Sequence, residues 1–176
     1  MGQLLLTGTE RFLGKNEVIV SKTDLRGRIT YANRLFCSIA DYQEHEVLGQ
    51  PHNIVRHPFM PRSIFKLLWD TVTSGQELFA YVVNRTKHGD YYWVLAHVTP
   101  DRDPSGQIVG FTSCRRAPGQ AGLAAVRPLY ADLLAIETST ESSKDGLAAS
   151  FRHLQDTLER AEKPYDQLMH HLIAAE

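Results

Sequence analysis

The chain has 176 residues, which is enough for one domain of ordinary size with an appendage. Apolar residues make up 43% of the chain and charged residues 22%, a balance typical of a globular rather than a disordered protein. The formal net charge is −1, so the sequence offers no overall positive field that would attract nucleic acid or an anionic membrane.

The sequence also predicts a protein without direct membrane insertion. No apolar run approaches the roughly 18 residues needed to cross a bilayer. The apolar residues at the start, within 1–6, lack a preceding basic region and are too few for a secretory signal. The two cysteines, Cys37 and Cys114, have no CxxC spacing and suit a reducing compartment. We therefore expect a cytoplasmic protein.

The predicted elements alternate between strands and helices. Apolar residues within 1–15 indicate a short cap helix or an arm. Five later segments have strand composition and are separated by turn residues or helices: 17–23, 28–32, 78–86, 91–99 and 108–116. Three helical segments lie between the second and third strands: 33–42, 44–48 and a longer one from Pro61 to Gly75.

This order predicts an α+β fold, in which a five-stranded antiparallel sheet carries short helices on one face. The composition changes after residue 117, and from there to 176 the pattern is helical. We expect a cap or arm over 1–15, a domain over 16–117 and a C-terminal helical extension over 118–176. The apolar stripe of the extension could pack on its own chain, on a second subunit or on a receptor.

Arg56 and His57 are the first candidate binding residues. They lie just before the longest predicted helix of the domain, where backbone N–H groups and the helix dipole favour anions. An arginine at such a place can bind a phosphate with two hydrogen bonds. The alternative is that both side chains only fix a loop to the surface.

Two asparagines and several aromatic residues are further candidates. Asn84 interrupts an apolar strand and could present a donor and an acceptor to an amide-like ring, or it could complete the next turn. Asn33 is equally suited to a helix N-cap. The aromatic residues could flank a planar ligand or simply form the core: Phe65, Trp69, Tyr92 and Trp93.

Motifs for catalysis are missing from the sequence. It contains no HExxH, CxxC, GxGxxG or phosphate-binding loop, and no nucleophile elbow. The eight histidines show no metal-ligand spacing. We therefore expect neither an enzyme nor a metal site.

Three segments, in this order, resemble the PAS domain of aerotaxis receptors. They are KTDLRGRITYAN at 22–33, PHNIVRHP at 51–58 and NRTKHGDYYWV at 84–94. The resemblance runs from about Asn16 to Arg116 and is strongest to the stand-alone PAS proteins of bacterial energy taxis. It implies a PAS fold, which makes 16–117 a PAS sensor domain.

The resemblance further implies that the domain binds FAD non-covalently and reports redox or energy state. The flavin-site residues carried over by motif are Asn33, Arg56, His57, Phe65, Trp69 and Asn84, with Phe65 and Trp69 on the helix that lines the pocket. The signal would pass by contact to a membrane-bound chemoreceptor or another signalling protein, and family habit implies a homodimer. A change in ring charge on reduction could turn the amide of Asn84 and bias the sheet.

Two positions depart from the family pattern. Phe59 stands where the family usually has aspartate, and Leu78 stands where the receptors often have tryptophan. Two alternatives to FAD follow. One is a PAS sensor that binds haem b through His52 or His57. The other is a cofactor-free PAS module for dimerisation and docking.

Overall fold

The computed structural model of the protein describes residues 5–175. Six strands form one sheet: β1 (Glu10–Arg11), β2 (Ile19–Thr23), β3 (Ile29–Ala32), β4 (Leu78–Arg85), β5 (Tyr91–Arg102) and β6 (Ile108–Arg116). Their order is β1-β5-β6-β2-β3, and β4 pairs with β5 as well. The helices are α1 (Arg34–Ala40), α2 (Glu44–Val47), a 3₁₀ helix (His52–Val55), α3 (Arg62–Thr73), α4 (Gln120–Thr138), α5 (Ser143–Arg160) and α6 (Tyr165–Ala174).

The predicted α+β class and the C-terminal helical extension are confirmed. All five predicted strands are present and pair antiparallel, as β2 to β6. The sixth strand, β1, was not predicted. It lies in the region expected to be a cap helix or an arm and pairs in parallel with the start of β5. No helix among residues 5–175 is both long and apolar enough to cross a membrane.

The chain divides into two compact units. The first contains residues 1–57 and 72–117, and therefore the whole sheet with α1, α2 and the 3₁₀ helix. The second contains residues 58–71 and 118–176, and therefore most of α3 with α4, α5 and α6. The segment 58–71 thus groups with the C-terminal helices although the sequence places it between strands.

The core of the first unit follows from the alternation of its strands. One sheet face carries Val82 opposite Val94, and both side chains are buried. Asn33 begins α1 as an N-cap, because its side chain accepts a hydrogen bond from the Phe36 backbone N–H at 2.9 Å. The cap directs Phe36 into the interior, where it is fully buried. The predicted turn at 24–27 is present, and Gly27 has the expected positive φ of 73°.

In the second unit the three C-terminal helices and α3 share one core. Its most buried side chains include Leu133, Leu154 and Met169, one from each C-terminal helix. The start of α3 is held by Glu137 of α4, whose carboxylate accepts hydrogen bonds from the backbone N–H groups of Arg62 and Ser63. Within this unit the extension packs on its own chain, the first of the three possibilities that the sequence left open.

Candidate functional site

A group of polar side chains lies on one face of the sheet in the first unit, called here the inner face. Asn84 of β4 and Tyr92 of β5 stand directly opposite each other in the register, so their side chains share that face. Asn84 is only 3% exposed and Tyr92 is fully buried. Burial raises the pKa of the Tyr92 hydroxyl, and the amide of Asn84 lies close enough to offset part of that rise. No third group among the described residues forms a hydrogen bond with the amide nitrogen Nδ2 of Asn84 or with the hydroxyl of Tyr92. Buried polar atoms without partners are rare in folded proteins, which marks this place as a ligand-binding candidate.

Arg115 of β6 adds a positive charge to the inner face. Its side chain is 3% exposed. Nε donates to Ser113 Oγ at 3.0 Å, and Nη2 donates to Ser21 Oγ and to His52 Nε2, the latter at 2.7 Å. The third nitrogen, Nη1, has no partner among residues 5–175. Burial lowers the pKa of Arg115 to about 10, so the guanidinium remains charged at neutral pH.

His52 is held neutral by these surroundings. Its Nε2 accepts the hydrogen bond from Arg115 and lies 3.1 Å from Ser21 Oγ, while its ring packs edge-on against Phe36 at 5.8 Å. Burial, and next the charge of Arg115, lower the pKa of His52 to about 3. The inner face therefore combines one fixed cation with neutral donors and acceptors.

Arg56 and His57 come to the edge of β4. The backbone of Arg56 forms a bridge with Asn84, and its carbonyl accepts a hydrogen bond from Arg85 Nε at 3.2 Å. His57 is buried with its ring 5.7 Å from that of Tyr91. Burial and then the charge of Arg85 lower the pKa of His57. The structure therefore brings the predicted Arg56 and His57 to the predicted Asn84.

Asn33 uses both ends of its amide for structure. Its oxygen caps α1, and its nitrogen donates to the Val18 carbonyl at 2.8 Å. The N-cap role that the sequence left open is thus observed, and a role in binding a ligand stays a prediction.

Phe65 and Trp69 lie on α3 and belong to the second unit. Phe65 is partly buried and Trp69 is 36% exposed. Their predicted contact with a ligand stays a prediction.

Of the two departures from the family pattern, Leu78 is a buried residue of β4 opposite Val98, and Phe59 is exposed.

The sequence did not single out Arg115, Ser21 or Ser113. Arg115 and Arg116 end a strand, where two arginines are usually solvated. The signal that could have revealed Arg115 is the alternation of side chains along a strand. Ser113 and Arg115 lie two and four residues after the aromatic Phe111 and therefore share its face of the sheet.

No group of three or more His, Cys, Asp or Glu side chains within 5–175 is placed to hold a metal ion.

The low pKa of His52 predicts a loss of stability in acid. Between pH 6.5 and pH 3 the unfolded state binds a proton at this histidine and the native state does not, so stability falls as pH falls through that window. In urea titrations at pH 7 and pH 5, the native chain should lose about 1–2 kcal/mol more than His52→Gln, which keeps a hydrogen-bond acceptor.

His45→Gln serves as the matched control, because His45 is exposed on α2. This variant should lose as much stability as the native chain between the two pH values. An equal loss in His52→Gln would show that His52 titrates normally in the folded protein.

Comparison with known proteins decides the family. A family model described as PAS fold matches residues 29–114, from β3 to β6. This chain carries a PAS domain of the aerotaxis-receptor type. The aerotaxis receptor of Escherichia coli (strain K12) is 41% identical over 132 residues, which cover 75% of this chain and 26% of the receptor. The resemblance noted from the three sequence segments is therefore confirmed.

Other relatives extend the comparison. The nitrogen fixation regulatory protein of Klebsiella pneumoniae is 30% identical over 56% of this chain and 20% of its own length. The biofilm dispersion protein BdlA of Pseudomonas aeruginosa is 26% identical over 49% of this chain and 21% of its own length. The PAS chain thus spans about a quarter or less of the length of these relatives.

Solved structures share the PAS fold. The dark structure of the blue-light photoreceptor Aureochrome1 LOV superposes with a TM-score of 0.53 and 24% identity, over 68% of this chain and 86% of that one. A light-oxygen-voltage domain studied with a flavin analogue gives a TM-score of 0.56 and 18% identity, over 65% and 86%. At these identities the likeness establishes the fold alone.

Proposed function

We propose that this protein is a cytoplasmic redox or energy sensor that binds FAD non-covalently through its PAS domain and signals by protein contact. The observation that carries the proposal is a set of buried polar atoms on the inner face to which no other residue within 5–175 forms a hydrogen bond: Asn84 Nδ2, Tyr92 Oη and Arg115 Nη1. Similarity to an aerotaxis receptor, the family that the sequence resemblance associates with FAD, supports a flavin as the ligand.

The donor set on the inner face suits a flavin ring. The pyrimidine part of the ring presents carbonyl oxygens and ring nitrogens along one edge, which require donors and acceptors in one plane. Asn84 supplies an amide, Tyr92 a hydroxyl and Arg115 a guanidinium nitrogen. Among the residues carried over from the family motif, Arg56 is the candidate for binding a phosphate of the FAD, because its backbone is paired with that of Asn84.

Bound flavin would supply reversible electron transfer, and the chain's own residues would sense the change. Reduction alters the charge and the hydrogen bonding of the ring. Asn84 can exchange a hydrogen-bond donor for an acceptor by rotating its side-chain amide. Because the backbone of Asn84 forms part of β4, this rotation would favour one arrangement of the sheet over another. In this proposal a chemoreceptor or another signalling partner reads the change, and the protein acts as a homodimer without catalytic activity.

A PAS sensor that binds haem through His52 or His57 is the second candidate from the sequence, and the contacts of His52 disfavour ligation through that residue. Iron ligation through Nε2 would require His52 to give up its hydrogen bond from Arg115 and its contact with Ser21. It would also remove one of the three hydrogen bonds that hold the buried guanidinium of Arg115, which is unfavourable.

Absorption spectroscopy of the purified full chain tests the proposal. We expect two bands near ~375 and ~450 nm, typical of flavins, that fade when dithionite is added. Release by heat followed by chromatography should identify FAD rather than FMN. A single sharp band near ~400–430 nm would instead establish haem. A chain that stays colourless after incubation with either cofactor would favour the cofactor-free PAS module for dimerisation and docking.

Asn84→Ala should weaken FAD binding about tenfold or more, because a buried hydrogen-bond donor to the ring is lost. Fluorescence titration of the apoprotein with FAD measures this. Asn53→Ala is the matched control, since Asn53 is exposed on the 3₁₀ helix, and its affinity should equal that of the native chain. Unchanged affinity in Asn84→Ala, with native circular dichroism, would remove Asn84 from the site.

A further inference from the structure

Arg115 is a buried cation without a counter-ion. No carboxylate among residues 5–175 forms an ion pair with it, and its hydrogen bonds go only to two serine hydroxyls and one neutral imidazole. A buried charge without an opposite charge is strongly unfavourable. The chain nevertheless keeps the guanidinium on the inner face, with one nitrogen lacking a partner.

The groups that face Arg115 come from every element packed against it. They are Ser21 of β2, Phe36 of α1, whose ring centre is 5.5 Å from the guanidinium carbon, His52 of the 3₁₀ helix, Tyr92 of β5 and Ser113 of β6. Cys114 is the neighbouring residue in the chain and lies on the opposite face of β6. Two of the groups that face the guanidinium can titrate, His52 and Tyr92. Burial lowers the pKa of His52 and raises that of Tyr92, so both are neutral at neutral pH.

Within the part of the chain that the structure describes, no group therefore balances this charge, and a negative charge on a ligand of the inner face would do so. In a poorly solvated interior the attraction between such a pair is far stronger than in water. The attraction acts only on a ligand state that carries the negative charge. A fixed buried cation thus stabilises the anionic state of a ligand relative to its neutral state.

We propose that Arg115 is the counter-charge of the reduced flavin and holds it as a monoanion. The inference rests on the proposed function. Two electrons from an external low-potential donor and one proton from solvent are taken up by the oxidised ring, and the second proton that free reduced flavin takes up in mild acid stays in solution. The ring then carries one negative charge, which Arg115 balances.

The proton count fixes the pH dependence of the flavin midpoint potential. With two electrons and one proton, a tenfold change in proton concentration shifts the equilibrium constant tenfold, which is about 30 mV per pH unit. With two protons the shift is a hundredfold, or about 59 mV per pH unit. Redox titration of the full chain loaded with FAD, followed by absorption between pH 5.5 and pH 8, separates the two. We expect the one-proton slope over the whole range.

Variants at two neighbouring arginines test the role of the charge. Arg115→Gln should lower the ratio of affinities for reduced and oxidised FAD at least tenfold, about 30 mV in midpoint potential, and should steepen the slope below pH 6.5. Arg115→Lys keeps a charge and should keep the one-proton slope. Arg116→Gln is the matched control, because it makes the same change of net charge at the next residue, which is exposed, and its potential should be that of the native chain.

The possible results distinguish this inference from the proposed function. A chain that binds no FAD overturns both. A chain that binds FAD with a two-proton slope at pH 5.5–6.5, or an Arg115→Gln variant with native potential and slope, overturns only the role of Arg115. If Arg115→Gln fails to retain FAD, the slopes of the native chain and of Arg115→Lys decide the question.

Discussion

Replacing Glu137 with alanine is expected to lower the free energy of unfolding by about 3 kcal/mol. The carboxylate of Glu137 is 6% exposed and accepts three hydrogen bonds at the start of α3. Two come from the backbone N–H groups of Arg62 and Ser63, at 3.0 and 2.8 Å, and the third from Arg62 Nε, at 3.1 Å. The first N–H groups of a helix have no partner within the helix, so α3 depends on this distant side chain as its cap.

The size of the expected loss follows from what the alanine variant leaves behind. Ser63 is fully buried, so its N–H group would lose its partner without gaining water, and Arg62 would lose its only carboxylate within 5–175. Glu137→Gln keeps an acceptor oxygen but no charge and should lose about half as much. Urea unfolding followed by circular dichroism measures both.

Glu159→Ala is the matched control for Glu137, since Glu159 is exposed on α5. It should change the free energy of unfolding by less than about 0.5 kcal/mol. If Glu137→Ala loses no more stability than the control, water replaces the carboxylate and the cap from α4 does not stabilise α3.

This capping contact also bears on the proposed function. Phe65 and Trp69, the aromatic residues that the resemblance assigns to the cofactor, lie on α3. The same helix is tied to the C-terminal helices by Glu137 and by the hydrogen bond between Ser150 and Ser63 at 2.8 Å. A displacement of α3 would therefore break its contacts with both α4 and α5.

Local pattern was enough to predict the sheet. β2, β4 and β5 each lead into a turn that contains a glycine, and strand composition and turn chemistry are properties of neighbouring residues. The short strand β1 carries no such pattern, because two residues cannot show a period. It exists through pairing with β5 and through Arg11, which binds Asp41 at 2.6 Å and Asp90 at 2.8 Å, contacts far away in sequence.

The candidate site was predictable only in part for the same reason. Asn84 could be found because a polar side chain inside an apolar strand is a local anomaly. Arg115 could not, because its burial arises from Ser21 and His52, which lie 94 and 63 residues away in the chain. A sequence shows the type of a residue at a strand end. Which side chains bury that residue depends on how all the strands of the sheet pair.

Gly146→Ala is expected to destabilise the protein by about 2 kcal/mol, although the same change in an ordinary helix stabilises by up to about 1 kcal/mol. Gly146 lies in α5, and a methyl group placed on it would be 2.4 Å from the Glu137 backbone oxygen and 3.0 Å from Thr140 Oγ1. The backbone oxygen cannot swing away as a side chain could, so α4 and α5 would have to separate.

Two further variants separate the steric effect at Gly146 from the helix preference of the residue. Ala148→Gly, at an exposed position of α5, measures the intrinsic helix preference and should lose about 1 kcal/mol. Because the methyl group at Gly146 displaces Glu137 itself, the double variant Gly146→Ala with Glu137→Ala should lose clearly less than the sum of the single losses. Additive losses, or a gain in stability from Gly146→Ala, would show that α4 and α5 can separate without disturbing the cap of α3.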